Sequence, residues 1–282
     1  MAQPERRAKW HLNWRCNPRS FGIMRHLLLS LAAAAILGCG SVFALPLAAQ
    51  QPQRPLDHEA EYSACMQLAR QEPQAAEESA RAWLELGGGD PAQHCVAVAL
   101  IGQQRYAEAA ESLENLAANM QQPIPRLQSE MMAQAGQAWM LADNSGLALQ
   151  AQTKGLSYAP ENLELLIDRS ITHATREDFW EAVDDLDKAY AMDRGRTDIL
   201  VLRASAYRRL EAIELALDDL NRALALDPGY PEGLLERGIV HRMLGNDEAA
   251  RQDWNKIVNT VPGTPAAEIA RRNLDILQNG GG

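Results

Sequence analysis

Apolar residues recur along most of this chain with the spacing of amphipathic helices, and the pattern repeats at a fixed interval. The clearest marker is one alanine in each interval, found at equal spacing at Ala148, Ala182, Ala216 and Ala250. A period of about 34 residues is typical of stacked helix pairs, because one pair cannot bury its own apolar stripe and packs against the next. The pattern therefore predicts an all-α solenoid.

Two weaker repeats precede these four. Ala75 and Ala109 are separated by the same interval, whereas Ala148 lies five residues further from Ala109 than this interval predicts. The additional residues fit a loop containing Pro123 and Pro125, since proline interrupts a helix. We therefore predict about six repeats over residues 56–277, starting near residues 56, 90, 129, 163, 197 and 231.

A final amphipathic helix is predicted over residues 264–278. Thr264 is a suitable N-cap, Pro265 suits the first turn, and the helix is expected to end before Gly280. We interpret this helix as the solvating cap of the solenoid, with residues 279–282 as a tail.

The repeat resembles the tetratricopeptide repeat (TPR), whose pattern has a large residue at position 4, a small one at 8, a large one at 11, alanine at 20, a large one at 24, alanine at 27 and proline at 32. The repeat that starts at Thr197 matches at every position, with Leu200, Ala204, Tyr207, Ala216, Leu220, Ala223 and Pro228. Other repeats depart at single positions: Ile257 replaces an alanine and Arg194 replaces the proline. The resemblance implies a fold that binds other proteins or peptides.

The same resemblance implies where a partner would bind. In TPR proteins, positions 2, 5, 9, 12 and 13 of each first helix face a concave groove. Here positions 5 and 9 form an apolar floor and positions 12 and 13 a partly basic wall, which together suit a bound peptide or helix. The implied groove residues are Ile167, Ile171, Val201, Ser205, Arg208, Arg209, Leu235, Ile239 and Arg242. The alternative is that these side chains contact neighbouring repeats and no partner.

Two further positions carry matched charges. Arginine occupies position 7 and aspartate position 23 of three successive repeats, giving the pairs Arg169 and Asp185, Arg203 and Asp219, and Arg237 and Asp253. A guanidinium can bridge a carboxylate with two hydrogen bonds, so we interpret these residues as structural ion pairs. The alternative is a row of arginines that binds a ligand.

Charge and motif content exclude several classes of function. A formal net charge of -10 argues against a nucleic-acid partner, because nucleic-acid-binding proteins usually carry a clustered basic face. The sequence carries no nucleophile, phosphate-loop or metal-site motif, and His173 and His241 occupy the large-residue position 11. We therefore expect no enzymatic activity, no cofactor and no metal.

The first 49 residues have the character of an export signal. A basic head that includes Arg19 and Arg25 precedes the apolar run at residues 27–37, and small residues suited to cleavage follow at Ala44 and Ala49. Met24 is an alternative start, which would leave residues 1–23 outside the protein. We expect a periplasmic or secreted protein, with residues 50–55 as a linker before the solenoid.

Two alternatives would place the chain at a membrane. The sequence around Cys39 resembles a lipobox, in which Cys39 would be acylated, and the apolar run could also remain as an uncleaved anchor. Membrane contact is expected only in these two cases. Cleavage leaves Cys65 and Cys95 in an oxidising compartment, where a disulfide is the natural interpretation and two buried free thiols are the alternative.

Overall fold

The computed structural model describes residues 57–279, which form thirteen helices and no strand. The predicted export signal, including Cys39, lies outside the described residues. Twelve helices form six consecutive pairs: α1 (His58–Gln71) with α2 (Pro73–Glu85), α3 (Gly89–Gly102) with α4 (Tyr106–Asn119), α5 (Pro125–Leu141) with α6 (Ser145–Tyr158), α7 (Leu163–Thr175) with α8 (Phe179–Met192), α9 (Thr197–Arg209) with α10 (Ile213–Leu226), and α11 (Pro231–Met243) with α12 (Asp247–Thr260). The unpaired α13 (Pro265–Asn279) follows. The predicted all-α solenoid is confirmed.

The turn inside a pair has the same geometry in five of the six pairs. Its central residue has a positive φ, which is 61° at Gln104, 59° at Asp143, 66° at Glu177, 61° at Glu211 and 74° at Gly245. The next N–H bonds the carbonyl five residues earlier, as in a Schellman motif. Residues other than glycine adopt this conformation at a cost in free energy. The packing of the second helix against the first must therefore outweigh this backbone strain in each pair.

The two prolines before α5 do not both lie in the loop that the sequence predicted for them. Pro123 lies in the loop, whereas Pro125 is the first residue of α5. A proline is tolerated there because the first N–H of a helix has no acceptor within the helix. Most of the five additional residues between Ala109 and Ala148 therefore form an extra helical turn, and α5 is 17 residues long.

Small residues allow the two helices of a pair to approach closely. Gly238 at position 8 faces Trp254 at position 24, and a Cβ atom added to Gly238 would overlap the indole ring. Gly136 faces Gln152 in the same way. In the repeat that starts at Thr197, Ala204 and Leu220 hold these two positions and both are fully buried. A smaller side chain at position 8 is therefore matched by a larger side chain at position 24.

The two ends of the described solenoid are closed by different means. At the C-terminal end, α13 buries Ala267 and Ala270 against Trp254, and the Thr264 hydroxyl accepts a hydrogen bond from the Ala267 N–H at 3.3 Å. At the N-terminal end, α1 buries only Cys65 and Ala69. Because so few of its residues are buried, α1 is weakly packed against the stack.

A disulfide joins this weak end to the next repeat. Cys65 in α1 is bonded to Cys95 in α3, with the two Cα atoms 6.3 Å apart, inside the usual range for a disulfide. Beside it, the Tyr62 hydroxyl donates to His94 Nδ1 at 2.7 Å, and His94 Nε2 donates to Gln134 at 3.0 Å. Burial lowers the pKa of His94, which favours the neutral ring that this pair of hydrogen bonds requires.

We predict that Gly238→Ala lowers the free energy of unfolding by about 1–3 kcal/mol, because the new methyl group collides with Trp254. Chemical denaturation measures the change. Gly146→Ala is the matched control, since its added Cβ would meet nothing closer than Asn144 at 3.6 Å. The control should be as stable as the parent protein or more stable by up to about 1 kcal/mol. Equal effects at both sites would contradict the close-packing argument.

We predict that removing the disulfide loosens α1 before the rest of the solenoid. A loop closed over a sequence separation of 30 residues contributes about 3 kcal/mol in the chain-entropy model. In the variant Cys65→Ser/Cys95→Ser, amide hydrogen exchange should rise at least tenfold in α1 and stay unchanged in α9 and α10. Uniformly faster exchange along the chain would show that the bond stabilises the whole stack instead.

Candidate interaction groove

The first helices of successive pairs lie side by side and form one continuous surface, which we call the groove. Contacts join α5 to α7, α7 to α9, α9 to α11, and α11 to α13. The capping helix α13 therefore extends the groove by one further helix. Because each of these helices belongs to a different repeat, a ligand in the groove would contact several repeats at once.

The apolar floor is narrower than the repeat pattern implied. Ile167 and Val201, both at position 5, are only 6% and 8% exposed and pack in the core between repeats. They present almost no surface to a partner. The floor residues that remain partly exposed are Ile171, Ser205, Leu235 and Ile239.

The basic wall is mostly occupied by contacts within the protein. Arg208 is half-buried and donates to Glu236, which lies on the first helix of the next repeat. Arg209 lies over the ring of Phe179, 4.8 Å from its centre, and 3.5 Å from Glu177. The contact with Glu236 was not predicted from the sequence, because its position has no fixed residue type in the repeats.

Arg242 differs from the other two wall arginines. It is exposed, and its side chain makes no hydrogen bond or salt bridge to any residue within 57–279. With Ile239, Met243, Trp254 and Asn273 it lines a cleft of about 410 Å³ at the C-terminal end of the groove. The repeat pattern assigned Ile239 and Arg242 to the groove but gave no place there to Trp254 and Asn273, because it predicted α12 and α13 as core and cap.

The middle of the groove is acidic. Gln137 of α5 donates to the Asp168 carboxylate of α7 at 2.8 Å. Burial raises the pKa of Asp168, the Gln137 hydrogen bond lowers it, and the nearby charge of Glu164 raises it, with a net increase. A carboxylate that is already costly to ionise disfavours an acidic ligand at this place.

The three matched arginines and aspartates meet inside their own repeats. Each guanidinium donates twice to one carboxylate, Arg169 to Asp185 at 2.7 Å for both bonds, and Arg237 to Asp253 at 2.9 and 2.7 Å. The Arg203 bonds to Asp219 are 2.7 and 2.8 Å, and these two residues are 8% and 3% exposed. Each pair joins the first helix of its repeat to the second.

Each arginine also reaches back to the preceding repeat. Its third nitrogen, Nη1, donates to a polar residue on the previous second helix, which is Thr153 for Arg169, Asp187 for Arg203 and Asn221 for Arg237. These acceptors were not predicted, although they recur at the same interval as the alanines. The guanidinium donors are therefore used for contacts within the solenoid, which favours the structural interpretation over a ligand-binding row.

The electrostatics of the central arginine agree with this role. Burial alone would lower the pKa of Arg203, but the hydrogen bonds and charges of Asp219 and Asp187 outweigh burial and raise it. Arg203 also lies over the ring of Tyr190, 4.9 Å from its centre. Because Asp219, Asp187 and Tyr190 already contact this guanidinium, it is poorly placed to bind a ligand as well.

Residues 57–279 provide neither a metal site nor a membrane span. That part of the chain contains no cluster of three histidine, cysteine or carboxylate side chains that could hold a metal ion. None of its helices combines the length and the apolar character needed to cross a bilayer.

The fold, the period and the residues at the helix crossings together define a TPR solenoid. Solved structures of the same fold include the MamA protein of Desulfovibrio magneticus RS-1, with a TM-score of 0.55 and 16% identity over 62% of this chain and 97% of that one. They also include YrrB, described as a TPR protein with an unusual peptide-binding site, with a TM-score of 0.50 and 16% identity over 64% of this chain and 91% of that one. No sequence model of a protein family and no curated protein sequence matches the chain. At these identities the likeness concerns the fold.

We predict that Arg203→Met lowers the free energy of unfolding by about 3 kcal/mol, because it leaves the Asp219 carboxylate buried without its main partner. Chemical denaturation measures the loss. The double variant Arg203→Met/Asp219→Leu should recover part of it by removing the stranded charge. As a control, Arg126→Met breaks an exposed pair with Glu130 and should cost less than about 1 kcal/mol. A double variant less stable than Arg203→Met would contradict this account.

Proposed function

We propose that this chain is a protein-interaction scaffold that binds a peptide or a single helix of another protein in the groove. The observation that carries the proposal is the set of partly exposed apolar side chains between charged walls, since apolar surface in a concave groove favours binding of an amphipathic segment. The description of YrrB as having a peptide-binding site on the same fold supports it. An enzymatic role finds no support in the residues that line the groove.

The groove favours a ligand of mixed character. Its floor offers Ile171, Leu235 and Ile239, while its middle carries the carboxylate of Asp168. Most of the charged groups on the walls are already paired within the protein, so apolar contact supplies most of the binding free energy. Charge then discriminates between ligands more than it strengthens binding.

We also propose that the scaffold works in the cell envelope, as a periplasmic or secreted protein. The basic and apolar segments of the first 49 residues support export, and the Cys65–Cys95 bond is of a kind that persists in oxidising compartments. The intact mass of the mature protein tests this location. A start at residue 45 or 50 would support it, whereas an acylated start at Cys39 would identify a membrane-tethered subunit of an envelope complex.

We predict that filling the groove weakens peptide binding at least tenfold. Ser205→Trp places a bulky ring on the floor, whereas Ala225→Trp places the same ring on the exposed face of α10, outside the groove. Peptides selected from a random library against the parent protein should bind the Ala225→Trp variant unchanged and the Ser205→Trp variant at least tenfold more weakly. Circular dichroism checks that both variants fold. Equal binding to both would refute the groove as the binding surface.

A further inference from the structure

One large aromatic side chain is exposed on the second helices, away from the groove that the first helices form. Trp180 is the second residue of α8, and 60% of its surface is exposed. The same position 18 carries Gly146, Glu214 and Glu248 in the other three clear repeats, so the fold does not require an aromatic residue there. A tryptophan that the protein's own packing leaves exposed is typical of a contact with a partner.

A leucine on the next second helix extends this apolar surface. Leu215 is the third residue of α10 and is 52% exposed. The Arg222 side chain of α10 donates to the Tyr190 hydroxyl of α8 at 2.7 Å, so the two helices are neighbours. Because Trp180 and Leu215 occupy positions 18 and 19 of adjacent repeats, they lie at the same level of the stack. We call these two residues the outer patch.

The surface around the outer patch is acidic. The first halves of α8 and α10 contain no lysine or arginine. Their exposed carboxylates Glu181, Asp184 and Glu214 make no side-chain hydrogen bond or salt bridge within the described part of the chain. The basic residues of these helices, Lys188 and Arg222, lie about two turns further along and already contact aspartates of their own helices. A cationic partner would therefore complement this surface.

The backbone of the partner is best satisfied as a helix. Residues 57–279 form no strand, so they offer no sheet edge that an extended peptide could join. A helix satisfies its backbone hydrogen bonds internally, and it can lay one apolar stripe across Trp180 and Leu215. Lysine or arginine beside that stripe would then meet the carboxylates around the outer patch.

We propose that the outer patch docks a cationic amphipathic helix of another protein. The apolar side chains of this helix pack on Trp180 and Leu215, and its lysines or arginines pair with Glu181, Asp184 and Glu214. The outer patch lies on second helices, whereas the groove lies on first helices. The solenoid can therefore hold one partner on each side, and the outer patch does not depend on the function proposed for the groove.

A designed peptide tests the proposal. It repeats the heptad Lys-Leu-Ala-Lys-Lys-Leu-Ala twice, which places its leucines on one helical face, and a control peptide of equal composition spreads the leucines around the helix. Each is titrated into the full chain carrying NMR labels on the tryptophan indoles, where the Trp180 signal is the one lost in Trp180→Phe. Every other tryptophan within residues 57–279 is buried. We expect the amphipathic peptide to shift the Trp180 signal and to bind at least tenfold more tightly than the control.

Matched variants separate the apolar contact from the charges. Trp180→Ser should weaken binding of the amphipathic peptide at least tenfold, whereas Leu86→Ser removes an exposed leucine from the turn after α2 and should leave binding unchanged. Circular dichroism checks that both variants fold.

The charges are tested by neutralising two carboxylates at a time. Asp184→Asn/Glu214→Gln should weaken binding at least fivefold, because it removes negative charge beside the outer patch. Glu78→Gln/Glu85→Gln changes the net charge equally on α2 and should have less than a twofold effect. Equal effects of the two double variants would show that the peptide follows the overall charge of the protein and would overturn the proposal.

Other outcomes identify a different occupant. A Trp180 signal that shifts with the concentration of the protein alone would show that a second copy of this chain covers the outer patch, which would overturn the proposed partner. Weaker peptide binding by Ser205→Trp would place the peptide in the groove, which would overturn the outer patch while supporting the groove. Equal binding of the two peptides, or no binding by either at millimolar concentration, would also overturn the proposal.

Discussion

No helix pair within residues 57–279 has a core of its own, and this constraint governs the rest of the described structure. The core around α7 draws on four helices of three repeats, with Leu156 from α6, Leu165 from α7, Leu186 from α8 and Ile199 from α9. Burial is therefore a property of the stack. Close packing at the crossings, where Gly238 meets Trp254, fixes how near the helices can come. The Arg–Asp pairs fix their lateral register.

The fold could be predicted well from the sequence because the fold is periodic. The recurrent alanines, the prolines after the second helices and the matched charges all repeat with the same spacing, so each repeat supports the assignment of the others. Non-periodic features were harder to predict. The place of Pro125 at the start of α5 depends on one local helix extension, and a proline at a helix start looks the same in sequence as a proline in a loop.

The sequence pattern indicated which helices form the candidate groove, but it did not indicate which of their side chains are exposed there. A family pattern assigns Ile167 and Val201 to the groove side, yet their exposure depends on how closely the neighbouring repeat approaches, and here it covers them. In the same way, Glu236 removes Arg208 from the surface through a contact between two repeats. The groups that such contacts leave unused can be identified only after the repeats are stacked.

The back-reaching bonds of the three arginines give the solenoid a direction. Arg169, Arg203 and Arg237 each bond the repeat before their own. A shortened chain that lacks its last repeats keeps the acceptors of whichever of these three arginines remain, although Arg208 would lose Glu236. A chain that lacks its first repeats exposes an arginine whose acceptor is gone. A polypeptide is synthesised from its N-terminus, so the repeat that carries the acceptor is made before the repeat that carries the arginine. These repeats can therefore assemble in the order of synthesis.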